Sequence, residues 1–468
     1  MRVGPRTSER DGSSDHRRWW PLRLGREIPA AERVRIREGM WYCAKVFLAL
    51  RIGLFVLAVL ATALLPTHRD FPHAVPGPVS VPGWPAHEIT PGAHNLFTGW
   101  ERFDALWFLR IAAEGYAHAD GSAAFFPLYP MTVRLLSFLM GGHPLAASLI
   151  VSNLAFLGAL IVLYFLTFSE LSPEAARKTV LYASVFPTAF FFLAPYSESL
   201  FLLLSVAAFW AARRRKWPLA GAMGALAAAT RPFGVLLAPA LALEALQQWR
   251  SARLKLEGRF SARAAGDGGT RDGVEPRSNG TDRSAHQAAG RLERDASTRT
   301  LAARLGWAAA TSVGLWAYLG YWQLAFGHFW EPLTKQGNWQ RVVSVPWSTL
   351  FQGTRDAFGF LGRYPIGYHQ LDWLVAVPAL LLAGYAFVRF RPAYGFYTWA
   401  SLLIPLSFIF QGRPLMSLPR LFLPLFPIYW ALARLVERRR LAHELILVVS
   451  AVGLGIMTML FVDWFYVF

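Results

Sequence analysis

The sequence has a single cysteine, Cys43, among 468 residues. One cysteine excludes an intramolecular disulfide bond and a cysteine-ligated metal cluster, and it argues against redox chemistry. Charged residues are also scarce, at 16% of the chain, whereas 54% of the residues are hydrophobic and 15% are aromatic. A composition this apolar is not typical of a soluble protein with several domains. The sequence also lacks a glycine-rich phosphate-binding loop, which argues against nucleotide chemistry.

Long apolar runs recur along the chain, each near the length that spans the hydrocarbon core of a bilayer. These runs occupy residues 46–65, 145–168, 303–327, 371–388 and 443–462. The first run is longer than the core of a signal peptide and follows a long charged segment, so we expect a retained anchor. The sequence therefore predicts an all-α polytopic membrane protein.

Basic residues outnumber acidic ones by 47 to 29, which gives a net charge of +18. They cluster in residues 1–45 and 250–302 and in the short runs "RRRK" (213–216), "RFR" (389–391) and "ERRR" (437–440). Basic clusters beside apolar runs are typical of the cytoplasmic ends of membrane helices rather than of a nucleic-acid surface. We therefore predict membrane lipids, and no nucleic acid, among the partners.

Placing the basic N-terminus in the cytoplasm fixes the direction of each span, and eleven spans then place every basic cluster inside. Residues 125–140 are short and interrupted by proline, so we predict a half-inserted helix there. The outward spans are 46–65, 179–195, 217–230, 303–327, 393–410 and 443–465, and the inward spans are 145–168, 198–212, 233–249, 371–388 and 420–434.

The threading divides the chain into four parts. The first outer loop carries interfacial helices after an irregular stretch rich in proline and glycine. The linker is rich in Gly, Ser, Arg and Asp, which predicts disorder in the cytoplasm. The parts are the basic cytoplasmic segment 1–45, the N-terminal transmembrane module 46–249 with its outer loop 66–144, the linker 250–302, and the C-terminal bundle 303–468 with its outer loop 328–370.

Ionisable side chains collect at the outer ends of the predicted helices. Such groups are costly at membrane depth, so a cluster of them is a functional-site hypothesis. The alternative is that each arginine reaches the lipid headgroups and that Asp104 is a carboxylate favoured at a helix N-terminus. Because Pro232 breaks a helix, we expect Arg231 to point into an outer cavity that it shares with Asp104. The candidate site residues are Asp104, Arg102, Glu198, Arg231, Arg413 and Arg420.

A carboxylate beside several arginines suits transfer of a group from a lipid phosphate. Guanidinium groups bind the phosphate as it leaves, while the carboxylate takes the proton of an acceptor hydroxyl. The alternative is a transporter or flippase of a lipid-linked or anionic substrate, although the sequence contains no evident internal repeat. No cofactor is firmly predicted and no residue is assigned to a metal. A divalent cation is left open, with Asp104, Glu198 and Glu331 among the outer carboxylates.

Four motifs follow one another in the first half of the chain. They are "W-x-R-F-D-A-L-W-F-L-x-I-A-x-x-G-Y" (100–116), "AFFPLYP" (124–130), "PYSESLF" (195–201) and "A-x-T-R-x-x-G" (228–234). Their order resembles the family of the second mannosyltransferase of GPI-anchor synthesis, PIG-V, and its bacterial homologues, which belongs to the GT-C class of glycosyltransferases. Two departures are Phe103, where a tryptophan is common, and the added linker 250–302.

The resemblance implies an inverting mannosyltransferase that acts on the non-cytoplasmic face of the membrane. The donor would be a polyprenyl or dolichyl phosphate sugar, and the acceptor a glycolipid or glycan. Asp104 would be the general base, Arg102 the basic residue of the same motif, and Glu198 and Arg231 match the later motifs. The abundance of Arg, Ala, Gly and Pro favours a bacterial plasma membrane over an endoplasmic reticulum membrane, and then the acceptor is not a GPI anchor.

Overall fold

The computed structural model describes residues 30–65, 97–118, 120–266, 281–339, 341–359, 366–410, 412–465 and 467, and these are almost wholly helical. Two short strands, β1 (Arg341–Val343) and β2 (Phe408–Phe410), pair antiparallel. The predicted all-α architecture is confirmed. The helices are α1 (Ala30–Leu64), α2 (Asp104–Glu114), α3 (Leu128–Leu139), α4 (Pro144–Glu170), α5 (Pro173–Val185), α6 (Glu198–Arg213), α7 (Trp217–Thr230), α8 (Leu237–Gly266), α9 (Thr281–Ala296), α10 (Thr298–Ala310), α11 (Val313–Phe326), α12 (Glu331–Thr334), α13 (Pro346–Gly359), α14 (Ile366–Arg389), α15 (Pro392–Leu406), α16 (Leu418–Phe422), α17 (Pro427–Leu435) and α18 (Arg440–Val462).

Four of the described helices, α1, α4, α14 and α18, are long and apolar enough to cross a membrane. They coincide with the predicted spans 46–65, 145–168, 371–388 and 443–465. The chain is therefore an integral membrane protein, whereas the total of eleven spans stays a prediction. Helix α3 falls within the predicted half-inserted helix, and its 12 residues are too few to cross the bilayer. The irregular stretch at the start of the outer loop, through residue 96, lies outside the described residues.

The short predicted spans 198–212 and 217–230 are helices α6 and α7, with 16 and 14 residues. Helix α7 is built largely of alanine and glycine, so other helices approach its backbone closely. A Cβ atom added to Gly314 of α11 would lie 1.9 Å from the carbonyl oxygen of Ala225, and one added to Gly224 would lie 2.5 Å from Oγ1 of Thr311. Neighbouring helices therefore shelter these short segments, as their length predicts.

Several predicted spans are interrupted rather than continuous, and the structure corrects them. Helix α5 ends at Val185, two residues before Pro187, because a proline disfavours helical geometry in the residue that precedes it. Helices α16 and α17 are separated at Leu423–Phe426, where Pro424 interrupts the chain. The spans predicted as single helices but broken in the structure are 179–195, 303–327, 393–410 and 420–434.

The segment 250–302, predicted to be disordered, is helical where it is described. Helix α8 continues to Gly266, and α9 and α10 together cover most of 281–310. Polar contacts fix the end of α9, since Asp295 pairs with both Arg215 and Arg304, and the indole nitrogen of Trp249 donates to the carbonyl oxygen of Ala296 at 2.9 Å. The prediction of disorder is wrong for these residues because buried partners outweigh the polar composition. Residues 267–280 lie outside the described residues.

The predicted cytoplasmic basic clusters meet at one end of the bundle. A cavity of about 700 Å³ is lined there by Arg213 of "RRRK", Arg391 of "RFR" and Arg439 of "ERRR". Arg213 also donates hydrogen bonds to Glu170 (2.5 Å) and Glu244 (2.8 Å). Because Arg213 ends α6, this end lies about 24 Å along the helix from the first residue of α6. The structure therefore brings three of the basic clusters together around one cavity, and their cytoplasmic position stays a prediction.

Candidate active site

Asp104 is the first residue of α2 and carries the only acidic side chain in that helix's first turn. A carboxylate is favoured there by the positive end of the helix dipole. The preceding residue, Phe103, has a φ of 54°, a left-handed conformation that is uncommon for a bulky side chain. Its ring is buried against Phe461 and Trp464, at centroid distances of 5.7 and 5.2 Å. Packing against α18 and the residues after it therefore holds the strained backbone that starts α2.

Glu198 begins α6 at the end of a tight turn and is fully buried. The hydroxyl of Ser199 donates to the carbonyl oxygen of Phe192 at 2.8 Å and closes that turn. The hydroxyl of Tyr196 donates to the carbonyl oxygen of Arg102 at 3.0 Å. The turn that presents Glu198 is therefore joined directly to the segment that presents Asp104.

Arg231 follows the last residue of α7 in an extended conformation, because Pro232 begins a 3₁₀ turn over Pro232–Leu236. This turn folds back onto α7. A Cβ atom added to Gly234 would lie 2.3 Å from the backbone nitrogen of Ala228, so only glycine fits at this position. The arginine, proline and glycine of the motif at 228–234 thus act together to direct the guanidinium away from the helix axis.

Arg420 lies in α16, in the second half of the chain. The helix is tied to the turn before α6 by Thr188, whose hydroxyl donates to the carbonyl oxygen of Pro419 at 3.0 Å. The guanidinium of Arg420 lies 4.6 Å from the ring centroid of Tyr196 and 5.2 Å from that of Phe191. These aromatic faces attract the cation and fix its plane.

The structure brings Asp104, Glu198, Arg231 and Arg420 together, and we call them the acid–arginine cluster. Nε of Arg420 donates to Oε1 of Glu198 at 2.5 Å, and Nη1 of Arg420 donates to Oδ2 of Asp104. Nη1 of Arg231 lies 2.7 Å from Oε1 of Glu198. The side chain of Asp104 is 18% exposed and that of Glu198 is 0% exposed, so Asp104 is the accessible acid of the cluster.

The "AFFPLYP" motif supports the same cluster through hydrogen bonds. The hydroxyl of Tyr129 lies 2.8 Å from Oγ of Ser152, and Oγ of Ser152 is 3.3 Å from the carbonyl oxygen of Tyr196, to which it donates. All four motifs singled out in the sequence therefore meet in space. Sequence reasoning missed Ser152 and the aromatic pair around Arg420, although the run "FFFLAPY" carries both aromatic residues.

Arg102, predicted to bind substrate, is not brought into the cluster. Its Nε donates to the carbonyl oxygen of Val462 at 2.8 Å and its Nη1 to that of Thr98 at 2.6 Å, and its guanidinium lies 4.7 Å from the ring centroid of Trp464. Burial lowers the pKa of Arg102 to about 10, and the nearby carboxylate of Glu101 opposes that shift. Arg102 therefore donates to a backbone carbonyl at the end of α18 and fixes the segment before Asp104.

Arg413 is likewise placed elsewhere. It forms a bidentate pair with Asp372 of α14, through bonds of 2.6 and 2.9 Å, and both side chains are 0% exposed. The structure therefore separates the two arginines that the sequence could not distinguish, and only Arg420 joins Asp104. Sequence reasoning missed Asp372, although a lone carboxylate within an apolar span was a signal for a buried partner.

The shared outer cavity that we expected between Arg231 and Asp104 stays a prediction. Neither residue lines the two cavities around Arg213 and around Asp295. Instead, Glu198 and Arg420 lie in the chain of ion pairs that connects Arg231 to Asp104. Two carboxylates and two guanidinium groups make the cluster formally neutral. Such an arrangement can hold a carboxylate beside fixed cations, which is what a proton acceptor next to an anionic leaving group requires.

The long apolar helices and the acid–arginine cluster define an integral membrane protein with a charged site among its helices. The family model described as Mannosyltransferase (PIG-V) matches residues 42–260. Over these residues the chain is similar to the PIG-V mannosyltransferase family, so the resemblance drawn from the four motifs is confirmed. Arg420 lies outside the matched region.

The fold is also similar, at low identity, to solved membrane proteins. One is ArnT from Cupriavidus metallidurans bound to undecaprenyl phosphate, with a TM-score of 0.43, 12% identity, and coverage of 94% of this chain and 77% of ArnT. Another is the Archaeoglobus fulgidus oligosaccharyltransferase in complex with Zn and sulfate, with a TM-score of 0.37, 14% identity, and coverage of 89% of this chain and 53% of the other. The chain thus spans about half the length of the oligosaccharyltransferase. Among curated proteins, no sequence matches this chain significantly.

Proposed function

We propose that this protein is a GT-C glycosyltransferase that moves mannose, or another hexose, from a polyprenyl or dolichyl phosphate sugar to a glycolipid or glycan acceptor. The reaction takes place on the non-cytoplasmic face, and the family match supports this activity. The observation that carries the proposal is the acid–arginine cluster, in which residues from three of the four motifs and Arg420 form a chain of ion pairs with one accessible carboxylate.

In the proposed reaction, Asp104 takes the proton from the acceptor hydroxyl as that oxygen bonds to the anomeric carbon of the sugar. The bond from the anomeric carbon to the phosphate oxygen breaks on the opposite face, so the configuration inverts. The electron pair leaves with the lipid phosphate, whose charge is stabilised by Arg231 and Arg420. Glu198 positions both arginines, because its Oε1 accepts from Arg420 and pairs with Arg231.

The substitution Asp104→Asn tests the proposal. The amide keeps the shape of the side chain and loses its basicity, so we expect transfer to fall about 10²- to 10⁴-fold while folding is retained. The assay follows radiolabelled mannose from a polyprenyl phosphate donor into the lipid extract of a strain that lacks the gene. Glu114→Gln is the matched control, because Glu114 ends the same helix and its side chain is 67% exposed.

Two outcomes would contradict the proposal. Transfer by Asp104→Asn at the rate of the unchanged protein would remove Asp104 as the base. Movement of the intact donor across vesicle membranes without formation of a mannosylated product would favour the flippase alternative.

A further inference from the structure

A second polar constellation lies away from the acid–arginine cluster, where the connection after α2 meets the connection between α11 and α12. His118, His328 and Glu331 each place one potential ligand atom within 4.8 Å of the other two. Nδ1 of His118 lies 2.7 Å from Oε2 of Glu331. The rings of His118 and His328 stack with a centroid distance of 4.1 Å and an interplanar angle of 8°.

The surroundings hold these three side chains in place. Glu331 is 7% exposed, and its Oε1 lies 3.6 Å from Nζ of Lys335 and accepts no hydrogen bond from the described residues. The ring of His118 also stacks near Phe326, at a centroid distance of 6.3 Å. The site therefore combines a buried carboxylate that is under-satisfied with two imidazoles on its exposed side.

The connection that carries His118 is fixed to α11 by aromatic packing. The ring of Tyr116 contacts those of Tyr318, Tyr321 and Trp322, at centroid distances of 5.6, 5.9 and 5.9 Å. The hydroxyl of Tyr318 donates to the carbonyl oxygen of Ala123 at 3.0 Å. Such packing limits the movement of a ligand set and lowers the cost of ordering it on binding.

We propose that His118, His328 and Glu331 bind a divalent transition-metal ion of the zinc class. Two imidazoles and one carboxylate are ligands that zinc accepts, and three protein ligands leave a fourth position for water or another ligand. Zinc bonds of about 2.0–2.1 Å place tetrahedral ligand atoms roughly 3.4 Å from one another, a separation between the 2.7 Å and 4.8 Å found here. Rotation of the two exposed rings out of their parallel stack, so that their in-plane nitrogen lone pairs point at one ion, completes the site. The bound ion cross-links the connection between α2 and α3 to the connection between α11 and α12. This inference does not depend on the transferase activity.

Metal retention by the full-length protein tests the site. The protein is purified in detergent with a tag that contains no histidine, stripped with a chelator, supplied with zinc chloride, desalted and analysed by mass spectrometry for metal. We expect about one zinc ion per chain, and background levels for His118→Gln, His328→Gln and Glu331→Gln. His143→Gln is the matched control, because His143 is an exposed histidine at the start of α4, and it should retain the metal.

Two further measurements keep the result independent of folding defects. Zinc should raise the melting temperature of the unchanged protein and of His143→Gln but not that of His328→Gln, because an ion that binds only the folded state stabilises it. Cobalt(II) added to the unchanged protein should give the visible absorption bands of a tetrahedral site. The inference is overturned if the unchanged protein retains no more zinc than His328→Gln, or if zinc leaves its melting temperature unchanged.

Discussion

The guanidinium of Arg420 donates a hydrogen bond to the carboxylate of Asp104 across 316 residues of sequence. The same guanidinium donates to Glu198, so a single side chain from α16 organises both acids of the site. The matched family region ends at residue 260, and the arginine that completes the cluster comes from beyond it. The two halves of the chain therefore contribute to one constellation.

Replacement of Arg420 by lysine should abolish most of the proposed transfer. A lysine keeps the charge, but its single nitrogen lacks the planar fork that reaches Asp104 and Glu198 together and lies against Tyr196. We expect a loss of about 10²-fold or more in kcat. Arg440→Lys is the control, because the side chain of Arg440 is 92% exposed and pairs with Glu444 in the same helix. Equal rates for both lysine variants would contradict a role for Arg420 in the site.

Arg231→Lys and Arg231→Ala separate a phosphate-binding role from a structural one. If Arg231 stabilises the leaving phosphate, both variants should lose transfer, because lysine does not reproduce bidentate contact with an oxyanion. The readouts are kcat, KM for the lipid donor and the melting temperature in detergent. A lysine variant with normal kcat beside an alanine variant that fails to fold would assign Arg231 to the structure alone.

Arg413→Met should destabilise the protein without removing a residue of the proposed active site. The substitution leaves the buried carboxylate of Asp372 without its bidentate partner, which costs about 3–5 kcal/mol in comparable buried pairs. The double variant Arg413→Met with Asp372→Asn removes the uncompensated charge and should recover much of the loss in melting temperature. A single variant as stable as the unchanged protein would contradict this account of the pair.

Cysteine labelling tests the predicted sidedness. Cys43 is fully buried and its thiol donates to a backbone carbonyl, so the natural chain should give a low background with an impermeant maleimide. Glu114→Cys should be labelled in intact cells, because α2 is predicted to lie outside. Ser278→Cys should be labelled only after the membrane is opened. The reverse pattern would invert the threading and place Asp104 in the cytoplasm.

Much of the site could be predicted from sequence because helix ends and prolines mark it. Asp104, Glu198 and Arg231 each lie at a helix end that the motifs reveal. The sequence did not indicate which of Arg413 and Arg420 joins the acid–arginine cluster, since both lie beside a proline in one short turn. The position of Arg420 depends on the left-handed backbone at Ser417, which has a φ of 68° and sets the direction of α16.

The helix boundaries, too, could be predicted only in part. Apolar length identified the four long helices, because hydrocarbon thickness imposes that length directly. Apolar composition did not reveal the interruptions near Leu423 or between α10 and α11, since buried broken helices are as hydrophobic as continuous ones. The folded ends of the segment 250–302 were missed because tertiary partners such as Asp295 are invisible to composition.

Arg420 lies late in the chain, so it is the last residue of the acid–arginine cluster to be synthesised. Ribosomal synthesis proceeds at about 5–20 residues per second, so Asp104 is made roughly 15–60 seconds before Arg420. Until then the nascent protein holds Asp104, Glu198 and Arg231 with one negative charge in excess. Arrival of the last cation neutralises them, so a chain that ends before Arg420 carries one acid without a compensating cation.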